Sequence, residues 1–121
     1  MAAITDSEWR VLSVLWDCDG AALGGVTEAL RDSTGWSRNT VLTYLTRMEA
    51  KGLVAIDKRP YPHLYRAAVS REECQAAERK GFLERVYRGS AGDLVAAFLK
   101  EQTLTPQERA DLKRLLDDME V

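Results

Sequence analysis

Apolar positions along the chain change period twice. Trp9, Leu12, Leu15 and Trp16 recur at helical spacing, so a first amphipathic helix is predicted from about Asp6. Thr5 and Glu8 have the spacing of a capping box, in which each side chain satisfies the other residue's backbone N–H. The turn-forming run Asp17–Gly20 stops this helix, and Ala21–Leu23 reads as a short strand-like connection. A second helix follows from about Gly25 to Asp32, with Val26, Ala29 and Leu30 turned inward. After the turn at 32–35, Ser37 can cap a third helix whose buried side is Val41, Tyr44, Leu45 and Met48. Gly52 can end it in a left-handed conformation.

Beyond Gly52 the period falls towards two. Residues Leu53–Arg59 and Leu64–Val69 read as paired strands, with Val54 and Ile56 on the covered side. Pro60 and Pro62 remove two backbone donors from the connection, which suits an exposed tip and not a sheet centre. From Ser70 the helical period returns. Ser70 and Glu73 open a helix to about Tyr87, and Gly89 to Gly92 interrupts. A helix over Asp93–Glu101 carries Leu94, Val95, Phe98 and Leu99 on one side. Thr105, Pro106 and Glu108 start a last helix striped with Leu112, Leu115, Leu116 and Met119.

These elements predict a mostly α chain with a small β-hairpin. Residues 1–69 form a winged helix-turn-helix, and residues 70–121 form a C-terminal helical dimerisation region. The C-terminal stripes have no core of their own, and a second copy of the chain is the economical cover. The dimer seam is therefore expected at Leu94, Val95, Phe98, Leu99, Leu112, Leu115 and Leu116.

Charge locates the partner of the third helix. The whole chain has a net charge of −2, but residues 36–66 hold six cations and only two anions. The side of the third helix opposite its buried stripe presents Asn39, Leu42, Thr43 and Thr46, with Arg38 and Arg47 near its edges. Short polar groups between cations suit a groove lined by base edges and phosphates, which points to double-stranded DNA. Lys58, Arg59 and His63 surround the hairpin tip, where cations can reach phosphates. A protein-interaction module is the competing use of such a fold, and an acidic helix face would favour it. A ligand-sensing regulator is another, but no long insertion builds a pocket.

Other classes are disfavoured. His63 is the only histidine and no motif sets it beside a nucleophile, so no enzyme is expected. No ligand spacing suits a metal, and no cofactor is implied. Cys18 and Cys74 form no close pair, the start MAAITDSEWR is not a signal peptide, and no apolar run could insert in a membrane. The expected location is the cytoplasm.

Three segments, ITDSEWRVLSVLW, WSRNTVLTYLTRMEAKGLV and FLERVYRGSAGDLVAAFLKEQTLTPQERADLKRLL, together resemble the penicillinase-repressor family in order and spacing. The resemblance implies a winged-helix repressor, dimeric through its C-terminal helices, on an inverted-repeat operator. Its DNA helix corresponds to Ser37–Lys51, with Asn39, Thr40, Leu42, Thr43 and Arg47 at matching DNA-facing positions. Three departures stand out. Family members commonly have Lys or Arg where this chain has Leu42, a side chain that could meet a thymine methyl. Antibiotic-responsive members answer to a membrane sensor protease and are cut between Asn and Phe, where this chain reads Ala97-Phe98. Copper-responsive members carry a C-terminal CxC pair, and here the last cysteine is Cys74.

Overall fold

The computed structural model describes residues 3–119. Thr5 and Glu8 close their capping box: the Glu8 amide donates to Thr5 Oγ1 (3.2 Å) and the Thr5 amide to Glu8 Oε1 (2.9 Å). Helix α1 (Asp6–Trp16) starts there. Helix α2 spans Leu23–Thr34 and ends at Gly35, whose φ of 66° needs a residue without Cβ strain. Helix α3 (Arg38–Ala50) is capped by Ser37, which accepts from the Thr40 amide.

The C-terminus of α3 sets the position of the hairpin. Gly52 (φ 81°) donates to Glu49 O, and Leu53 donates to Met48 O at 2.9 Å. This is a Schellman closure, with Met48 and Leu53 as its buried hydrophobic pair. The chain reverses there and leads straight into strand β1 (Val54–Asp57), which pairs antiparallel with β2 (Leu64–Ala67). In register, Val54 faces Ala67 and Ile56 faces Tyr65. Ala21 adds a third, one-residue rung by exchanging both backbone hydrogen bonds with Tyr65.

The core of this winged helix is Val11, Leu12 and Leu15 of α1, Val26 and Leu30 of α2, Val41, Leu45 and Met48 of α3, and Leu53, Val54 and Tyr65 from the hairpin. A second tie joins α1 to the end of α3. Lys51 Nζ donates to both oxygens of the buried Glu8 carboxylate at 2.8 Å and to Ala3 O at 3.3 Å. Burial pushes the Glu8 carboxyl up, but the Lys51 ammonium and the Thr5 hydrogen bonds outweigh it and hold the group below the usual carboxylate range.

The chain separates into two compact units at Glu78/Arg79, inside helix α4 (Arg71–Tyr87). The start of α4 belongs to the winged-helix unit. Trp16 Nε1 donates to Val69 O (2.9 Å), Arg71 pairs with Asp17 (3.0 Å) and lies over the Trp16 ring, and Cys74 is buried. Burial, helped by Glu73, pushes the Cys74 thiol up, which keeps it an unreactive core group. The second unit contains helix α5 (Ala91–Glu101), capped by Ser90, and helix α6 (Pro106–Asp118), started by the Thr105–Glu108 capping box.

Several expectations need correction. Ala29 is exposed, because Val26 and Leu30 alone face the core from that part of α2. Helix α2 starts two residues earlier than expected, since packing of Leu23 on the core overrides the missing cap at Ala22. Strand β1 stops at Asp57 and not at Arg59, because the Asp57 carboxylate accepts from the Arg59 amide (3.1 Å) and turns the chain out of the ladder. Strand β2 stops at Ala67, two residues before Val69.

Replacing Glu8 with Gln keeps the size but removes the charge that holds Lys51. The expected loss is about 1.5–3 kcal/mol, the usual worth of a hydrogen bond to a charged group. Because the folded-state pKa of Glu8 is depressed, its contribution is present above the ordinary glutamate pKa and is lost as pH falls through the depressed value. Urea unfolding of both proteins should therefore differ at neutral pH and converge well below pH 4.5.

Candidate nucleic-acid interface

Burial of one stripe decides what α3 offers to a partner. Val41, Leu45 and Met48 are fully buried, so Asn39, Leu42, Thr43, Thr46 and Arg47 are left on the exposed side. Arg38 is exposed at the first position of the helix, and Thr40 is half-buried. Trp36 stacks on Tyr44 with ring centroids 4.5 Å apart, which fixes the entry of the chain into α3.

Hydrogen bonding determines which atoms remain available. The Thr43 hydroxyl donates to Asn39 O at 2.9 Å, so it presents acceptor lone pairs and a methyl outward. The Ser37 hydroxyl donates to Thr40 Oγ1 at 3.1 Å and accepts from the Thr40 amide, so it is occupied in the cap. The Asn39 amide has no hydrogen-bond partner among the described residues, leaving both its donor and its acceptor open. Such an amide can pair in bidentate fashion with an adenine edge. Leu42 is 38 % exposed and is the one large apolar side chain on this side of the helix.

The cations divide into two groups. Lys51 is held by Glu8, and Arg59 is held by Asp57 through Nε–Oδ1 and Nη2–Oδ2 contacts of 3.0 Å. The Arg59 side chain and amide bring the Asp57 carboxyl down to about 2, and the carboxylate in turn raises the guanidinium further. This clasp therefore stays ionised at any pH near neutrality. Among the described residues Arg38, Arg47, Lys58 and Arg66 have no acidic partner within ion-pair distance. Arg66 lies across Gly20, where a Cβ would stand 3.1 Å from its Nε. Lys58, Arg59 and His63 are exposed around the tip, as expected, but half of the tip's permanent positive charge is locally neutralised. Charge counting along the sequence missed this. The Asp57-x-Arg59 spacing was the available signal.

In the second unit, Val95, Phe98, Leu99, Leu112, Leu115, Leu116 and Met119 are all exposed, and Leu94 is half-buried. Val95, Phe98, Leu99, Leu104 and Leu112 line an open groove of about 430 Å³ between α5 and α6. The Ala97–Phe98 bond lies inside α5. Among the described residues no group of three acidic, histidine or cysteine side chains could hold a metal, and no helix is long and apolar enough to cross a membrane.

Residues 4–118 match the family model described as penicillinase repressor. This chain belongs to that family. It is 26 % identical over 114 residues to the methicillin resistance regulatory protein MecI of Staphylococcus aureus, covering 94 % of this chain and 93 % of the relative. It is 26 % identical over 115 residues to the penicillinase repressor of Bacillus licheniformis, covering 95 % and 90 %. The solution structure of B. licheniformis BlaI, a monomeric form in complex with the blaP half-operator, superposes with a TM-score of 0.53 at 25 % identity. That match covers 60 % of this chain and 88 % of the other. Bordetella bronchiseptica BpsR shares the fold at a TM-score of 0.51 and 23 % identity, over 98 % of this chain and 76 % of that one.

On any duplex this chain binds, the two wing cations should behave differently. Lys58→Ala should weaken binding similarly on all sequences and lower the slope of log K against log salt by about one unit. Arg59→Ala should change that slope far less, since Asp57 already balances its charge. Fluorescence-anisotropy titrations across a salt series make the comparison.

Proposed function

We propose that this chain is a transcriptional repressor that binds an inverted-repeat operator as a homodimer. Residues 1–69 would serve as the DNA-binding part, with the start of α4 packed on them, and the rest of residues 70–121 as the dimerisation region. The observation that carries the reading is the exposed side of α3, where Asn39, Leu42 and Thr43 lie between Arg38 and Arg47, which have no acidic partner among the described residues. The family membership and the operator-bound BlaI neighbour support DNA as its target.

In this reading Arg38, Arg47 and Lys58 contact phosphates and fix register, while Asn39, Leu42 and Thr43 face base edges. Two recognition helices must stand about one turn of DNA apart, roughly 34–36 Å, to meet both half-sites. A linked pair can gain roughly 10²–10⁴ in avidity over one subunit, because the second contact becomes intramolecular. The exposed stripes of α5 and α6 supply the apolar surface for that link. Repression then ends when the C-terminal helices part, whether by proteolysis or by another signal. Any sensor protease acting here must accept Ala before Phe98, in place of the Asn of antibiotic-responsive relatives, and must reach a bond that lies within α5.

Two outcomes test the proposal. Phe98, 54 % exposed on a lone subunit, would be covered in the dimer, so Phe98→Asp should bury an unpaired charge there and yield monomers. Sedimentation and operator binding on the same sample should show both losses while the winged helix stays folded. An intact dimer, or a monomer that binds as tightly as the parent, contradicts the dimeric reading. For base readout, the duplex is one selected from a randomised pool by the full chain. Asn39→Ala or Thr43→Ala should relax its preference at a cost of about 1–3 kcal/mol per lost base contact. Replacing thymines by deoxyuridine, one at a time, should weaken the parent at one position per half-site and leave Leu42→Ala indifferent there.

A further inference from the structure

Among the described large hydrophobics of the winged-helix unit, only Leu42 and Tyr61 are exposed. Leu42 lies on the recognition helix. Tyr61 is 96 % exposed at the hairpin tip, with Pro60 before it and Pro62 after it. Proline on both sides limits the backbone freedom of this residue, so little entropy remains to be lost when its ring meets a partner. Below the tip, the Asp57–Arg59 clasp ties the first turn of the loop to the end of β1. The wing therefore presents an aromatic ring on a braced mount, with Lys58 and His63 exposed nearby and Arg59 balanced by Asp57.

A surface aromatic alone needs no explanation. This one differs in its surroundings. Arg59, one of the tip's two permanent cations, is paired with Asp57, so Lys58 alone is left to seek phosphate with a full charge. What the tip offers instead is an apolar face with one hydroxyl, which is the chemistry of a deoxyribose and its phosphate. We propose that Tyr61 is the wing's principal DNA contact. Its ring packs on a deoxyribose beside the half-site read by α3, and its hydroxyl donates to a phosphate oxygen. The assignment rests on the proposed DNA-binding function and adds to it a residue outside the helix-turn-helix and outside the basic set.

The test uses the full chain, a duplex selected from a randomised pool, and a random-sequence duplex. Tyr61→Ala should weaken binding about five- to thirtyfold, the effect of losing roughly one or two kcal/mol of ring burial and hydrogen bonding. The loss should be equal on both duplexes, because sugars carry no sequence. It should leave the salt slope unchanged, because no charge is removed, whereas Lys58→Ala lowers the slope. Tyr61→Phe should show a smaller loss. Trimming the selected duplex to the pairs read by α3 should abolish the difference between Tyr61→Ala and the parent. Binding by Tyr61→Ala equal to the parent, while Asn39→Ala still loses sequence preference, overturns the assignment and leaves the DNA-binding function standing. A change in sedimentation of Tyr61→Ala without DNA also overturns it, in favour of a protein contact. Indifference of both Tyr61→Ala and the α3 variants on a duplex that the parent binds would instead reject this face of the winged helix as the DNA-binding surface.

Discussion

Everything the winged helix offers to a partner depends on burial of one stripe of α3. Val41, Leu45 and Met48 are withdrawn completely from water among side chains of α1, α2 and the hairpin. Fully burying such side chains contributes about 1.5–3 kcal/mol each, far more than any single surface contact. A helix pinned along one side has its other side decided by geometry. Met48 serves twice, since its side chain fills the core while its carbonyl accepts the Leu53 amide that turns the chain into β1. Orientation of the helix and departure of the wing thus share one residue.

Electrostatics refine what packing sets. Two of the six cations in the basic segment are occupied by carboxylates, one bracing the helix terminus and one bracing the wing. Lys51 serves architecture: it joins the C-cap of α3 to the capping box that opens α1. The cations without acidic partners among the described residues flank the exposed side of α3, stand on the wing, or lie over Gly20. The local field is therefore weaker than the sequence count and more sharply placed.

Much of this was legible in the sequence. Thr5 with Glu8, Ser37, Gly52 and Thr105 with Glu108 mark helix boundaries through interactions spanning three or four residues, and each acts as its spacing implies. The exposed side of α3 followed from periodicity alone. Less local features did not. The Glu8–Lys51 pair spans 43 residues and the Trp16–Val69 bond spans 53, so only the folded chain brings them together. The three-residue step from Val26 to Ala29 fits a helical stripe, yet α2 buries only Val26 and Leu30. The Asp57–Arg59 clasp is local, but simple charge counting treats its members as independent. In the C-terminal unit the stripes are where periodicity put them, and they remain exposed on a single chain.

We propose that the exposed side of α3 is the surface that meets DNA. Amide chemical shifts of the isotope-labelled chain, followed as a selected duplex is added, test it most directly. The largest changes should fall on residues 38–47 and on the wing tip, with little change in the amides of the buried core. Large changes confined to α5 and α6, with α3 unmoved at saturation, would contradict it.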